Sequence, residues 1–275
     1  MPQKFIDQGT FIVPMSEKVT APSLKKMRDA GEKIVCLTAY DFPSAIIADE
    51  AGVDLVLVGD SVGNVVQGHE TTIPVELEEI CYHVKIVRRG ISHAMLVADL
   101  PFGSYNVSTE QAIESSIRLM KSGADAVKLE GDYSDAIRGI IKAGIPVMGH
   151  VGFTPQSVNN FGGAKVQGRG SQADAVLDQA KAIEAAGAFG IVLELIPADL
   201  AGRITDALSI PTIGIGAGLH CSGEIQVWHD IMGLSTKQHK HTRFYFTGRS
   251  AMIEAANAYT QDVRSGRFPS PENSF

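Results

Sequence analysis

The chain has 275 residues, of which 44% are hydrophobic and 20% are charged, and its formal net charge is −7. This is an ordinary composition for a soluble globular protein, and the length suits one large domain or two smaller ones. The acidic balance argues against nucleic acid as a partner, because phosphate binding needs a concentrated positive patch.

Three cysteines stand far apart at Cys36, Cys81 and Cys221, with neither a CxxC pair nor a metal-binding spacing. We expect them to be reduced thiols of a cytoplasmic protein. The first nineteen residues contain no uninterrupted apolar stretch of the kind found in secretory signals. No apolar run approaches the roughly 20 residues of a membrane helix, so we expect no membrane association.

Residues 1–30 read as a polar N-terminal arm, after which short runs rich in Val, Ile and Leu recur. Each run is nearly continuous in hydrophobicity, which is typical of parallel strands covered on both faces. Eight such runs predict strands: KIVCLTAYD from Lys33, DLVLVGDS from Asp54, AMLVADL from Ala94, DAVKLEG from Asp125, IPVMGHVG from Ile145, GIVLEL from Gly190, IPTIGIGAG from Ile210 and EIQVWHDIMG from Glu224.

Helical segments lie between several of these runs. One opens at Pro74 and closes at Gly90, and another has Ser108 or Thr109 as its N-cap and stops at Gly123. Alternating strands and helices in a chain of this size predict one closed (β/α)8 TIM barrel over residues 31–275, after the arm of residues 1–30. A doubly wound open sheet is the alternative.

Polar side chains end five successive predicted strands. In such barrels the active site lies at the carboxyl ends of the strands. The residues concerned are Asp60 and Ser61 on the second strand, Asp99 on the third, Lys128 and Glu130 on the fourth, His150 on the fifth and Glu194 on the sixth. Each one alone is explained by a cap, a core histidine or a structural ion pair.

Five successive strands that end in such side chains indicate a metal ion and an anionic substrate. Buried ionised groups cost several kcal/mol each unless they are paired or bound to a metal. Carboxylates without a cysteine cluster favour a hard ion such as Mg²⁺, which the three neighbouring carboxylates can share directly or through water. Glu194 lies two strands beyond Glu130, which leaves it free to act as a base. Lys128 is suited to meet a substrate carboxylate or a developing enolate charge.

Three further segments lie outside the predicted strands or at their ends. Residues 151–172 form a long irregular piece that would suit a lid, with a disordered loop as the alternative. The glycine-rich GIGAG of residues 214–218 is compatible with backbone packing on a large ligand or with anion binding, but it lacks the spacing of a dinucleotide fingerprint. The basic cluster TKQHKHTRF of residues 236–244 we interpret as a solvated loop.

Several of these motifs resemble ketopantoate hydroxymethyltransferase. They include TAYD, LVGDSVGNVVQGHETTIPV, VADLPFGSY, AVKLEG, PVMGHVGFTPQSVNNFGGAKVQGRG, IVLELIP and IPTIGIGAG, and the match runs from about Leu24 to Gly233. The family commonly has a Pro-Lys-Phe-(x)-Lys stretch after the eighth strand. This chain departs from it and reads STKQHKHTRFYFTGRS.

The resemblance implies a (β/α)8 barrel of the phosphoenolpyruvate/pyruvate superfamily, assembled as a homodecamer. The implied reaction transfers a hydroxymethyl group from 5,10-methylenetetrahydrofolate to 3-methyl-2-oxobutanoate, giving 2-dehydropantoate for pantothenate and coenzyme A synthesis. By motif, Asp60 and Asp99 match the Mg²⁺ ligands, with Glu130 near the metal, and Glu194 matches the proton acceptor. The implied ketoacid-binding set is Asp60, Ser61, Asp99, Lys128 and His150.

Two alternatives remain at this point. One is a Mg²⁺-dependent lyase or mutase of the same superfamily acting on 2-oxo acids. Such relatives commonly carry a catalytic cysteine in a loop after a strand, which this sequence lacks. The other is a barrel that binds a metabolite without catalysis, although such a protein has no need to keep a base.

Overall fold

The computed structural model describes residues 17–236 and 238–275. Within them, eight parallel strands close into a barrel in chain order, with the last strand paired to the first. The strands are β1 (Ile34–Thr38), β2 (Leu55–Val58), β3 (Met95–Asp99), β4 (Ala126–Lys128), β5 (Val147–Gly152), β6 (Gly190–Glu194), β7 (Thr212–Ile215) and β8 (Gly223–Gln226). Each strand overlaps its predicted run, so the predicted (β/α)8 barrel is confirmed.

Most helices follow the strands and cover the outside of the barrel with their apolar faces. They are α1 (Ala21–Asp29), α2 (Phe42–Glu50), α3 (Val62–Val65), α4 (Leu77–Arg88), α5 (Thr109–Ser122), α6 (Ser134–Lys142), α7 (Val158–Phe161), α8 (Ala173–Ala185), α9 (Ala198–Ala207), α10 (Trp228–Ile231) and α11 (Gly248–Arg264). None of the helices in the described ranges is both long and apolar enough to cross a bilayer.

Local sequence explains where the predicted helices begin and end. Helix α5 begins after Ser108, whose hydroxyl accepts a hydrogen bond from the backbone N–H of Gln111, and it ends at Gly123 in the left-handed conformation. Helix α4 begins after Glu76, later than the predicted opening at Pro74. The carboxylate of Glu79 accepts a bond from the N–H of Glu76 and fixes that start.

Helix α1 covers the amino-terminal end of the barrel, opposite the predicted site. Its Leu24 is buried with the side chains that fill the barrel interior. Nearby, Arg28 donates to the carbonyl of Leu208, and Val19 donates to that of His93, residues that precede β7 and β3. The arm therefore contains a helix, while its residues 1–16 lie outside the described residues.

The strand register decides which rim residues are neighbours. Asp99 pairs with Lys128 across β3 and β4, and Glu194 pairs with Ile215 across β6 and β7. Because parallel strands present their carboxyl ends at one rim, the polar ends of β2–β6 form one half of it. The ends of β7, β8 and β1, at Ile215, Gln226 and Thr38, carry no charge and complete the rim.

Candidate active site

A cavity of about 840 Å³ opens at the carboxyl ends of the strands. It is lined by all seven residues that the sequence predicts as site residues, namely Asp60, Ser61, Asp99, Lys128, Glu130, His150 and Glu194. Five of them are at most 4% exposed, which is unusual for ionisable side chains unless they are paired or functional. The structure therefore brings the predicted set together in one place.

Asp60, Asp99 and Lys128 form one buried group within this set. Lys128 Nζ lies 2.5 Å from Asp99 Oδ1, and the other oxygen of Asp99 accepts a 3.0 Å bond from the backbone N–H of Asp60. Burial raises the pKa of Asp60 well above its usual range, and the nearby carboxylates of Asp99 and Glu130 raise it further. The negative charge gathered here thus exceeds what Lys128 neutralises.

His150 lies between two carboxylates. Its Nδ1 is 3.5 Å from Glu130 Oε1, and its Nε2 is 3.3 Å from Glu194 Oε2, although neither contact has hydrogen-bond geometry. Burial lowers the pKa of His150, but Glu130 and Glu194 outweigh it and raise the pKa to about 9. His150 is therefore a cation at neutral pH. Glu194 is 18% exposed, compared with 3% for Glu130, so it faces the open side of the cavity.

Gln156 connects two of the predicted carboxylates and was not predicted as a site residue. Its Nε2 donates to Asp60 Oδ2 at 2.8 Å, and its backbone N–H donates to Glu130 Oε2 at 3.0 Å. The hydroxyl of Tyr105 donates to Gln156 Oε1 at 2.7 Å and so fixes the amide orientation. Gln156 belongs to the segment predicted as a lid, but nothing in its spacing indicated which side chain would reach Asp60.

Tyr40 is a second buried group that sequence reasoning missed. Its hydroxyl shares a 2.7 Å hydrogen bond with the hydroxyl of Ser61. Burial raises the pKa of Tyr40, so the phenol stays protonated and is able to orient Ser61. The TAYD motif that contains Tyr40 was the available signal, but the side chain follows the end of the strand, where periodicity does not fix its direction.

The chemistry of the donors fits a divalent cation. When all four carboxyl groups are ionised, Asp60, Asp99, Glu130 and Glu194 exceed the cations Lys128 and His150 by two charges. Carboxylate oxygens are the ligands that Mg²⁺ prefers. In the described part of the chain, however, no three His, Cys, Asp or Glu side chains are gathered around one point that could hold a metal ion. Lys128 and Gln156 instead hold the carboxylates.

Apolar side chains also line the cavity. They are those of Leu57, Val192, Ile215 and Ile225, together with the hydroxyl-bearing Thr38. Because Glu194 pairs with Ile215 in the strand register, a carboxylate and an apolar side chain are neighbours on the rim there. A ligand with a charged end and a branched alkyl end would therefore place the junction between them beside Glu194.

The basic cluster of residues 236–244 is only in part the solvated loop that its sequence predicts. Lys240, Arg243 and His239 are exposed, but His239 also lines the cavity, together with the half-buried His241. The nearby GIGAG glycines of β7 and its loop are packed by the protein's own side chains. A Cβ at Gly216, for example, would lie 2.8 Å from Leu195 and 3.3 Å from His241.

Comparison with known proteins identifies the family. The family model described as ketopantoate hydroxymethyltransferase matches residues 18–271. The chain belongs to the ketopantoate hydroxymethyltransferase family. It is an enzyme of the transferase class. The family resemblance inferred from the motifs is thereby confirmed, and the match extends through the divergent segment after β8.

Curated relatives of this ketopantoate hydroxymethyltransferase family member cover nearly all of the chain. The protein named 3-methyl-2-oxobutanoate hydroxymethyltransferase of Ralstonia pickettii is 51% identical over 261 residues, covering 94% of this chain and 96% of that protein. The protein of the same name from Carboxydothermus hydrogenoformans is 48% identical over 264 residues, covering 94% and 96%.

Solved structures share the barrel fold at low sequence identity. A phosphonopyruvate hydrolase in complex with oxalate and Mg²⁺ aligns with a TM-score of 0.61 at 14% identity, over 93% of each chain. A phosphoenolpyruvate phosphomutase from Streptomyces platensis aligns with a TM-score of 0.63 at 15% identity, over 93% of this chain and 91% of that one. These likenesses establish the fold alone.

Proposed function

We propose that this enzyme transfers a hydroxymethyl group from 5,10-methylenetetrahydrofolate to 3-methyl-2-oxobutanoate, with Mg²⁺ as cofactor. The products are 2-dehydropantoate and tetrahydrofolate, which places the enzyme in pantothenate and coenzyme A synthesis. The observation that carries the proposal is the single cavity lined by all seven predicted site residues in a chain of this family.

Asp60, Asp99 and Glu130 are the proposed residues that hold Mg²⁺, two of them by direct ligation and Glu130 directly or through water. Their carboxylate chemistry and the uncompensated charge around Asp60 support this assignment. Bound there, Mg²⁺ would polarise the 2-oxo group and stabilise the negative charge that develops on its oxygen. Gln156 and Tyr105 would keep the carboxylates of Asp60 and Glu130 oriented.

The polar half of the cavity binds the carboxylate and 2-oxo end of the ketoacid in this proposal. Ser61, Lys128 and His150 supply a hydroxyl and two positive charges, while Asp60 and Asp99 meet the ketoacid through the metal. The carboxylates around Lys128 raise its pKa despite burial, so the lysine keeps its charge when the cavity is dry. The isopropyl group of the substrate lies against the apolar lining residues, Ile215 among them.

Glu194 is the proposed base that removes the C3 proton. It stands beside the apolar Ile215 on the rim, which is where C3 of a ketoacid bound in this way lies. His150 Nε2 lies 3.3 Å from Glu194 Oε2, beside the proposed base. Lys128 is positioned to stabilise the enolate charge.

A lyase or mutase of the same fold is the less favoured function. Cys36, Cys81 and Cys221 are free and buried, and none of them lines the cavity in the described residues. A catalytic cysteine, as expected for those relatives, is therefore not available at this site.

The chain is further proposed to be cytoplasmic and to act as a homo-oligomer, a homodecamer by family resemblance. Helix α11 supports self-association. Only Gly248 of this helix is buried, whereas Met252, Ile253 and Tyr259 are exposed. An exposed apolar surface of this kind is typical of protein contacts. Light scattering of the purified protein would measure the assembly.

Turnover assays test the proposed reaction. Purified enzyme with Mg²⁺, 3-methyl-2-oxobutanoate and 5,10-methylenetetrahydrofolate should form 2-dehydropantoate, and removal of the metal with a chelator should stop the reaction. Binding of Mg²⁺ and ketoacid without turnover would instead identify a non-catalytic binding barrel. Turnover of the ketoacid without folate would favour the lyase.

A further inference from the structure

The proposed reaction needs a proton acceptor besides Glu194. The product hydroxyl contains an oxygen that neither the ketoacid nor the folate methylene supplies, so the oxygen comes from water. C3 of the product is bonded to four carbon atoms. If the enolate attacked the folate directly, C3 of the resulting adduct would carry no hydrogen, so the adduct could not release the folate amine by elimination. Water must reach the methylene carbon itself, and a base must take its proton.

The groups that contact the ketoacid are poorly suited to this task. His150 lies 3.5 Å from Glu130 and 3.3 Å from Glu194, among the groups proposed to bind the ketoacid. Glu194 is committed to the C3 proton. The remaining cavity-lining imidazoles are those of His69, His229, His239 and His241. His69 lies in the loop after β2, on the side of Asp60 and Ser61. His239 and His241 belong to the segment in which the sequence departs from the family pattern.

His241 lies on the same side of the cavity as Glu194. It packs against Gly216, the residue after Ile215, and Ile215 is the register partner of Glu194. The carbonyl of His241 accepts a 3.2 Å bond from Gln226 of β8, which ties the segment to the barrel. The imidazole stacks on that of His239, with centroids 5.5 Å apart and planes 15° apart. It is therefore positioned by contacts on several sides.

His241 is also suited to accept a proton. Burial lowers its pKa, and neighbouring His239 lowers it further, while Glu194 and Asp230 act in the opposite direction with a smaller effect. The ring is thus neutral near pH 7. His229 is neutral for a similar reason, but it packs on Tyr40, whose hydroxyl contacts Ser61 on the ketoacid side.

We propose that His241 is a further catalytic residue of this enzyme, the general base for the water that attacks the folate methylene carbon. This inference rests on the proposed function. It assigns a role to the segment after β8, which the family resemblance leaves without one.

The attack of water on the folate comes first. The water oxygen bonds to the methylene carbon as one water proton passes to His241. The electron pair of the breaking bond to the first folate nitrogen stays on that nitrogen, which takes the proton from His241. The hydroxymethyl group on the second nitrogen then leaves as formaldehyde, its hydroxyl proton passing through His241 to that nitrogen. The enolate carbon bonds to formaldehyde, and the new alkoxide takes the proton held by Glu194.

The test compares variants in three assays: exchange of the C3 proton in deuterated water, turnover with methylenetetrahydrofolate, and turnover with formaldehyde in place of the folate. The His241→Asn variant should exchange C3 at nearly the wild-type rate and use formaldehyde nearly as well. Its folate-dependent turnover should fall by about 100-fold or more, the contribution expected of a general base. Free imidazole should partly restore turnover of His241→Gly.

His220→Asn is the matched control, because His220 is exposed and does not line the cavity. Exchange of the C3 proton by His241→Asn at the normal rate would also show that the variant is folded. The proposal would be overturned if His241→Asn kept its folate-dependent turnover or lost activity equally in all three assays. It would also be overturned if the wild-type enzyme could not use formaldehyde, or if His229→Asn, and not His241→Asn, lost only the folate-dependent turnover. A wild-type enzyme that exchanges no C3 proton and uses no folate would instead refute the proposed function itself.

Discussion

Gln156 donates a 2.8 Å hydrogen bond from Nε2 to Oδ2 of Asp60, across 96 residues of sequence. The same residue donates its backbone N–H to Glu130, so one loop residue orients two of the three proposed metal ligands. Partners of this kind fix the direction in which a carboxylate presents its free lone pairs. The loop after β5 is therefore part of the site and more than a cover over it.

We expect Gln156→Ala to weaken Mg²⁺-dependent activity by about 10- to 100-fold, the usual effect of losing a partner of a metal ligand. Asp60 would lose its only side-chain donor among those described, while the backbone bond to Glu130 remains. A Mg²⁺ titration of turnover measures the effect. Gln111→Ala, on the outer helix α5, is the control and should leave the titration unchanged. Equal Mg²⁺ requirements for both variants would contradict the role given to Gln156.

The base assignment for Glu194 predicts a specific loss. Glu194→Gln keeps the shape of the side chain but removes its basicity, so exchange of the C3 proton in deuterated water should slow by about 100-fold or more. Proton NMR of the ketoacid in the presence of Mg²⁺ and enzyme follows the exchange directly.

Glu110→Gln is the corresponding control, because Glu110 is an exposed acid in the first turn of α5. Exchange by Glu194→Gln at the wild-type rate would remove Glu194 from its proposed role. Ketoacid binding by this variant, measured by calorimetry, should persist, since Glu194 is not among the proposed binding residues.

The strands and the polar rim could be predicted from sequence for one physical reason. Parallel strands covered on both faces read as continuous apolar runs, so a charged residue at the end of a run stands out. The closed topology then brings the ends together without further information. Lys128 and Glu130, two positions apart, line the cavity together as the alternation along an extended segment predicts.

Gln156, Tyr40 and His241 could not be predicted in the same way. Each follows a strand end or lies in a loop, where the chain has no period and the direction of a side chain depends on tertiary contacts. Helix α1 was not predicted within the arm, because Leu24 is its only buried residue and the helix therefore lacks a strong apolar face. Its position follows from the open end of the barrel that it covers.

Asp49 lies away from the site, and its carboxylate should make the free energy of unfolding depend on pH. Its carboxylate accepts bonds from the backbone N–H groups of Ser92, His93 and Ala94 and from the Ser92 hydroxyl. Burial alone would raise the pKa of Asp49, but these bonds outweigh it and lower the pKa below its usual value. The stabilisation is therefore present above the unfolded-state pKa and is lost as the pH falls through the folded-state pKa.

We expect Asp49→Asn to lower the free energy of unfolding at pH 7 by about 1–3 kcal/mol, since a charged acceptor of several bonds is lost. The difference from the wild type should stay constant from pH 7 to about pH 4 and narrow below it, as the wild-type carboxyl becomes protonated. Urea unfolding at several pH values measures this. The exposed Asp206 provides the control variant Asp206→Asn, and a difference that grew on acidification would contradict the sign.

Gly152 connects backbone geometry to the proposed base. It ends β5 with a φ of 95°, and a Cβ there would lie 2.3 Å from the carbonyl oxygen of Glu194 and 2.7 Å from Ile196. Gly144 has a similar φ of 87° but nothing within 4 Å of the position of a Cβ. Alanine substitutions at the two glycines therefore distinguish two costs: that of the left-handed conformation alone, and that of an additional clash with the backbone of β6.

Gly144→Ala should cost about 1–2 kcal/mol of stability, the price of a left-handed alanine, and leave C3 proton exchange unchanged. Gly152→Ala should cost about 1–3 kcal/mol more through overpacking, and it should slow the exchange because the backbone that carries Glu194 must move. Thermal unfolding and the deuterium assay measure the two effects on the same samples. Equal exchange rates for the two variants would mean that Glu194 tolerates a shift of β6, and would argue against a tightly positioned base.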